Sequence, residues 1–316
     1  MLLQDVYKRQ IINGAILVLI WVAGNQVYSG AITQGETVAL WNYMSQILVE
    51  LIKLANLIIN ISKALACANR VQKVFEEKSS ITDGTKEGQA APDKNKVVFD
   101  KIRFFYGGSK EPSLDNISLS VEKGQTVGII GGTGSGKSSL VNLIPRFYDV
   151  QDGAVLVDGK NVKDYSLKEL RDKIGVVPQR SVLFAGSLRD NMKWGRMDAD
   201  DEEIYKALDM AQAREFVESK GKGLDFMIAQ EGKNLSGGQK QRLAIARALV
   251  RSPEILIMDD SASALDFATD ARLRKAIKEG TKDMTVFIVS QRAATIRNAD
   301  VIVVLDLSLI HILCLI

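Results

Sequence analysis

The densest chemistry in the chain lies in 131–139, GGTGSGKSS. A glycine, four residues and then Gly136-Lys137-Ser138 is the spacing of a phosphate-cradling loop set between a strand and a helix. Its flanks agree: 126–130 is apolar and β-branched, as a buried parallel strand is, and 138–144 has helical character. Gly131, Gly132, Gly134 and Gly136 let backbone N–H groups turn around an anion, with Thr133, Ser135 and Ser139 between and after them, and the helix N-terminus adds its positive end. Lys137 then reaches the β- and γ-phosphates of a nucleotide, and the Ser138 hydroxyl ligates Mg²⁺.

Other stretches supply matching chemistry. The run Leu235-Ser236-Gly237-Gly238-Gln239 opens a helix whose apolar residues Leu243, Ala246 and Val250 share one face, with Ser236 as its cap. That positive end suits an anion, yet Lys137 sits in a loop of its own, so a second nucleotide or a second subunit is implied. A buried strand over 254–258 delivers Asp259 and Asp260, and a carboxylate there can hold Mg²⁺ through water opposite Ser138. Ser263-Ala264-Leu265-Asp266 follows, and a strand over 285–289 leads to Ser290-Gln291. Gln179, after a strand over 174–177, stands where it could touch Mg²⁺ and an attacking water. Tyr106 ends an alternating strand; its ring either stacks on a purine or packs within the sheet.

Tyr106, GGTGSGKSS, Gln179, LSGGQ, ILIMDD, SALD and SQ, in this order, resemble the ATP-binding-cassette transporters, and more narrowly the bacterial multidrug-type exporters whose membrane helices precede the cassette in one polypeptide. The resemblance covers residues 11–306. It implies an α/β P-loop NTPase fold: an ABC cassette with an antiparallel β-subdomain and a helical lobe, following a partial α-helical transmembrane domain. It implies ATP and Mg²⁺ as cofactors, with Ser138, Gln179 and Asp259 around the metal. It also implies head-to-tail dimers in which each ATP lies between one subunit's phosphate loop and the other's LSGGQ, with Asp266 in the loop between the sites.

The sequence departs from that pattern at two positions. The family usually has Glu as the base where this chain has Asp260, one methylene shorter, and His where this chain has Gln291. A retracted carboxylate loses the geometry of general base action, and glutamine carries no charge and shuttles no proton. The expectation is a site with Asp260, Gln291 and Gln179 in catalytic positions that binds ATP well and hydrolyses it slowly. The signature is intact, so the expected partner is a second half-transporter subunit carrying the Glu and His. The stretch before the signature, at 229–232, departs from the family's usual wording. A homodimer with two slow sites is one alternative, and a soluble cassette protein acting on DNA or ribosomes is another.

The elements that must carry this machinery divide the chain. Residues 97–306 form the nucleotide-binding part, with a helical insertion over 187–223, and 78–96 a solvated linker. Before it, 11–77 reads as the last two membrane helices: an apolar run over 11–23 too short to span alone, a turn over 24–35, and an apolar stretch over 37–61 long enough to cross. Asn42, Gln46, Glu50, Lys53 and Asn56 within it should face a bundle interior or an aqueous path. Lys63, Arg70, Lys73 and Lys78 mark the cytoplasmic side, giving a multi-pass protein of the cell membrane in contact with the bilayer, its cassette in the cytoplasm. A net charge of +3 gives no reason to invoke nucleic acid. Cys67 and Cys314 make neither a disulfide framework nor a metal site, and Cys67 reads as helix packing. DVYKRQ near the start and LSLIHI near the end translate from GATGTGTATAAGAGACAG and its reverse complement, as a read-through library adapter does. Residues 1–10 and 307–316, with the lone His311, are therefore expected to be foreign and the chain a fragment cut at both ends. The cargo, whether small molecule, lipid or peptide, has no signal here.

Overall fold

A computed structural model describes residues 2–77, 79–84, 94–260, 266–281, 283–306 and 309–314, in two compact units divided after Ser80. The first unit is a pair of helices, α1 (Leu2–Tyr28) and α2 (Gln34–Glu76). Thr33 caps α2 in a reciprocal box: its hydroxyl accepts from the Glu36 N–H at 3.3 Å, while Glu36 accepts the Thr33 N–H at 2.7 Å. Both helices outrun their apolar runs. The turn expected over 24–35 shrinks to 29–33, because Gly30, at φ +74°, is the residue that ends α1, and the polar residues before it stay helical. Past Ile61, helix-favouring Lys, Ala and Arg carry α2 on without a break, since hydropathy marks a membrane boundary and not a helix end. Among the described residues α2 is the one helix long and apolar enough to cross a membrane. Within it Lys53 pairs with Glu50 at 2.7 Å, one turn apart. Cys67 is exposed on α2, not packed.

The second unit has a mixed six-stranded sheet and an antiparallel four-stranded one. The four-stranded sheet runs in the order β2-β1-β4-β5, from β1 (Asn95–Phe104), β2 (Leu114–Glu122), β4 (Asp152–Val157) and β5 (Lys160–Asn161). Its strand β1 begins two residues before the expected domain boundary and stops two short of Tyr106. The six-stranded sheet runs β12-β11-β3-β10-β9-β6: β3 (Thr126–Gly131), β6 (Ile174–Val177), β9 (Ile255–Asp259), β10 (Thr285–Val289) and β11 (Val301–Asp306) are parallel, and β12 (Leu309–Cys314) is antiparallel to β11. Helix α3 (Lys137–Asn142) leaves β3, and α4 (Leu167–Asp172) leads into β6. The insertion expected over 187–223 holds α5 (Leu188–Lys193), α6 (Asp201–Met210) and α7 (Arg214–Ser219), with β7 (Gly186–Ser187) paired to β8 (Met227–Ile228) at its base. Then come α8 (Gly237–Leu249), α9 (Phe267–Gly280) and α10 (Ala293–Ile296).

One apolar core lies between the two sheets, around Phe99, Ile102, Phe104 and Phe287; the other joins the helical lobe to the opposite face of the parallel sheet, around Leu243, Ile245, Leu256 and Met258. The described parts of both stretches expected to be foreign, 2–10 and 309–314, adopt regular backbone, in α1 and β12. A hexapeptide beside the open edge of β11 pairs with it whatever its origin. Residues 81–84 of the expected linker lie on the second unit: the Leu167 N–H donates to Asp83 Oδ1 at 2.7 Å and the Gly84 N–H to the Tyr165 carbonyl at 3.0 Å. The linker residues 78 and 85–93, and Ser263, Ala264 and Leu265, lie outside the described residues.

A buried charge cluster ties the sheets together. Lys96 of β1 donates to Asp158 at 2.7 Å and pairs with Glu254, while Lys173 reaches Asp158 at 3.0 Å. Burial pushes the Asp158 carboxyl up, but the hydrogen bonds and charges of Lys96 and Lys173 outweigh it and leave it below the usual range. A depressed folded-state value stabilises above the ordinary carboxylate range and is lost as pH falls through it. Asp158 has φ +50°, which asparagine tolerates, so Asp158→Asn isolates the charge. It should cost about 3 kcal/mol by denaturant unfolding at neutral pH and flatten the acid limb of the stability profile; an unchanged midpoint and acid limb would refute the assignment.

Candidate functional site

The parallel strands end in register. Val289 of β10 lies opposite Ile129 of β3 on one side and Asp259 of β9 on the other, so the loop after β3, the Asp259-Asp260 pair and Gln291 share the carboxyl edge of the sheet. In doubly wound sheets that edge is where ligands bind. The loop itself is a left-handed cradle: Gly134 is at φ +84° and Gly136 at φ +91°. A Cβ on Gly136 would meet the Ser113 carbonyl at 2.7 Å, and one on Gly131 the Leu305 carbonyl at 2.2 Å, so only glycine fits either position. Gly132, Thr133 and Gly134 are exposed, whereas Ser135, Lys137 and Ser139 are buried.

Lys137 is 8% exposed, and its ammonium donates to the carbonyls of Gly131 at 2.9 Å and Gly132 at 2.5 Å and lies 3.5 Å from the Ser135 hydroxyl. These partners are all neutral, and among the described residues no carboxylate pairs with it. A charge so placed favours an anion in the cradle. Next to it, the exposed Ser138 hydroxyl donates to Asp259 Oδ1 at 3.0 Å. Burial pushes the Asp259 carboxyl up, and the neighbouring Asp260 adds to this, while the Ser138 hydrogen bond and the Lys137 charge oppose it. A hydroxyl and a half-buried carboxylate in contact are hard oxygen ligands of the kind that hold Mg²⁺ together with phosphate oxygens.

Asp260 turns off the end of β9 at φ +43°, its N–H donating to the Val289 carbonyl at 3.0 Å. Its carboxylate lies 3.4 Å from the amide nitrogen of Gln179, so the residue expected as base and the residue expected beside the water meet. Gln291 is exposed one residue past Ser290, whose N–H donates to the Ile129 carbonyl at 3.0 Å. The turn after Gln291 is held from α9: Arg274 pairs with buried Asp270 at 2.8 Å and donates to the Thr295 carbonyl. Asp266 caps α9 by accepting from the Thr269 N–H at 3.0 Å, and this hydrogen bonding holds its carboxyl below the usual range.

Tyr106 lies past the end of β1, 38% exposed, edge-on to Phe104 and Tyr148, with its hydroxyl 2.9 Å from that of Ser139. The sequence marked Tyr106 and Ser139 but not Tyr148, nor Gln151, which binds the backbone of Phe105; no spacing rule links residues so far apart.

LSGGQ stands apart, on the helical lobe. Leu235 is buried, while Ser236 and Gly237 are exposed at the start of α8. The Ser236 hydroxyl accepts from the Gln239 N–H at 3.3 Å and the Gln239 side chain accepts the Ser236 N–H at 3.0 Å, a reciprocal capping box. Gly237 and Gly238 begin the helix with small, accessible backbone. Before it, Asn234 folds the 229–232 stretch back by bonding Ala229 and Met227 at 3.0 and 2.9 Å.

Residues 114–263 match the family model described as ABC transporter. An uncharacterized ABC transporter ATP-binding protein of Mycobacterium bovis is 38% identical over 307 residues, which span 93% of this chain and 51% of that protein. A Bacillus subtilis protein named for multidrug export as an ATP-binding/permease protein is 38% identical over 292 residues, 92% of this chain and 50% of its own length. The chain thus spans about half the length of the curated relatives it matches. The solved structure of a bacterial Atm1-family ABC exporter with ATP bound superposes with a TM-score of 0.77 at 29% identity, covering 97% of this chain and 54% of that one.

The cap gives a direct test of the signature geometry. Ser236→Ala should remove about 1 kcal/mol of stability and lower the melting temperature by roughly 2–4 °C. Ser236→Asp, which also caps, should restore it. A melting temperature that ignores both changes would contradict the capping box.

Proposed function

The chain carries an ABC transporter ATP-binding domain, and we propose that it serves an exporter: ATP binding closes a pair of cassettes, hydrolysis reopens them, and attached membrane helices alternate access for a cargo. The observation that carries this reading is the meeting of buried Lys137, its ammonium held on the Gly131 and Gly132 carbonyls, with the Ser138–Asp259 contact in one glycine cradle. Gly131, Gly132, Thr133, Gly134, Ser135, Gly136, Lys137, Ser138 and Ser139 cradle the triphosphate, and Tyr106 stacks on the purine. Ser138, Asp259 through water, and Gln179 would hold Mg²⁺, which would supply charge neutralisation on the phosphate oxygens.

The chain's own residues then divide the work. The Lys137 ammonium, already desolvated, binds the β- and γ-phosphates without further reorganisation. Asp260 orients the attacking water, and Gln291 hydrogen-bonds the γ-phosphate. Both do so poorly: the shorter carboxylate, already engaged by Gln179, stands back from the water, and Gln291 offers no positive charge. The site is therefore slow. Leu235, Ser236, Gly237, Gly238 and Gln239 present α8 to the ATP of another subunit, and Asp266 lies between the two sites. The partner of this half-transporter is a second, different subunit with a fully equipped base and switch, and the pair resides in the cell membrane with its cassettes in the cytoplasm. The cargo is a small molecule, lipid or peptide.

Two measurements bear on this. Lys137→Ala in the full chain should weaken ATP binding at least tenfold or so, since it deletes a charge-assisted anchor of the phosphates; retained affinity contradicts the cradle. Asp260→Glu with Gln291→His should raise ATP turnover of the assembled dimer by roughly tenfold or more, within the range of general base catalysis. Turnover that stays flat removes the slow-site reading and leaves the nucleotide site standing.

A further inference from the structure

The end of β1 is gripped by a stretch with no role in the site so far. Ladder pairing of β1 stops at Arg103 with β4 and at Phe104 with β2. Beyond that point the side chain of Gln151 takes over: its Oε1 accepts the Phe105 N–H at 2.9 Å and its Nε2 donates to the Phe105 carbonyl at 3.2 Å. A side-chain amide thus acts as one more rung of the sheet, and the Gln151 N–H adds a bond to the Arg103 carbonyl at 3.1 Å. Three residues earlier the Tyr148 ring meets Tyr106 at 5.2 Å and 84°, and Phe104 at 5.5 Å.

The grip is rooted in the phosphate loop. It follows α3, whose first residue is Lys137. The way from α3 to the grip is locked by Arg146, 4% exposed, which bonds both Asp149 oxygens at 2.7 and 3.1 Å and the Lys163 carbonyl at 3.3 Å. Ser139, within α3, meets the Tyr106 hydroxyl directly. Tyr106 is therefore held from below by Ser139 and from the side by Tyr148, while Gln151 fixes the backbone one residue before it. Phe104 and Tyr148 both meet the Tyr106 ring at steep angles, 75° and 84°, as braces and not as parallel stacking partners.

We infer that Tyr148 and Gln151 are positioning residues for nucleotide binding: they set the height and tilt of the Tyr106 ring relative to the phosphate loop, and so how much a stacked purine adds to the affinity of the triphosphate. This rests on the reading of Tyr106 as the purine-stacking face. The energetic logic is preorganisation. A ring on an unpaired strand end has to be ordered when the base arrives, whereas a ring already braced does not.

The test compares ATP with inorganic tripolyphosphate, which has the phosphates and no base, on the full chain in detergent. Gln151→Ala and Tyr148→Ala should each weaken ATP binding by about tenfold, the scale of one base–aromatic stack, and leave tripolyphosphate affinity unchanged. Tyr148→Phe, which keeps the ring, should bind like the wild type. Tyr106→Ala is the reference: it should lose a similar factor for ATP alone, and adding Gln151→Ala to it should cost nothing more. An equal loss for both ligands, or an additive loss on top of Tyr106→Ala, overturns the positioning role. If Tyr106→Ala weakens ATP binding while the Gln151 and Tyr148 variants do not, the clasp fails and the stacking reading survives; if Tyr106→Ala leaves ATP binding intact, both fall.

Discussion

The site depends on one electrostatic condition, a desolvated ammonium surrounded by neutral oxygens. Lys137 is buried, and the carbonyls of Gly131 and Gly132 satisfy its protons without satisfying its charge. An arrangement of this kind is costly unless an anion completes it. Gly134 and Gly136 are left-handed, and Ser113, just before β2, and Leu114, its first residue, press on Gly136 so closely that no side chain could stand there. The parallel strands, aligned in register, bring Asp259, Asp260 and Gln291 to the same edge, so that the groups proposed to face cation and water are set by sheet geometry.

Two sheets meet around this loop, and side chains hold them at both ends. At one end the Lys96, Asp158, Lys173 and Glu254 cluster joins the start of β1 to the start of β9. Near the cradle, the Tyr106–Ser139 contact joins the chain just past β1 to α3. The antiparallel sheet therefore cannot slide over the parallel one without breaking the Lys96–Glu254 and Lys173–Asp158 contacts or the Tyr106–Ser139 contact. Such ties matter on the proposed reading, in which the base-binding and phosphate-binding groups come from different sheets.

What could be read from the sequence was what depends on short spacing. The phosphate loop, the strand leading to it, the cap at Ser236 and the strand ending in Asp259 each rest on residues within a few positions of one another, and each lies where its pattern puts it. Helix ends in the first unit were less legible, because apolar content reports where a membrane would end and α2 keeps its hydrogen bonds for another four turns. The grip on Tyr106 and the cross-sheet charge cluster were invisible for a different reason. Gln151 lies 46 positions from Phe105, and Lys96 lies 62 from Asp158 and 158 from Glu254, so only the folded topology pairs them. Asp260 and Gln291 are conspicuous as residue types, yet the contact between Asp260 and Gln179, 81 positions apart, arises only from the folded chain.

The position of the signature bears on the assembly. Helix α8 starts with two glycines at an exposed end, and its capping box consumes the Gln239 and Ser236 N–H groups within the chain itself. The amides of Gly237 and Gly238 lack the i−4 carbonyls that serve the rest of the helix, and the dipole of thirteen aligned residues points its positive end the same way. The cradle around Lys137 has its own helix, α3, and its own amides, separate from those that open α8. A triphosphate bound by Lys137 therefore leaves the α8 terminus unanswered. On the proposed reading a second subunit's nucleotide answers it, which makes the intact LSGGQ useful to the partner's site even while Asp260 and Gln291 slow the chain's own.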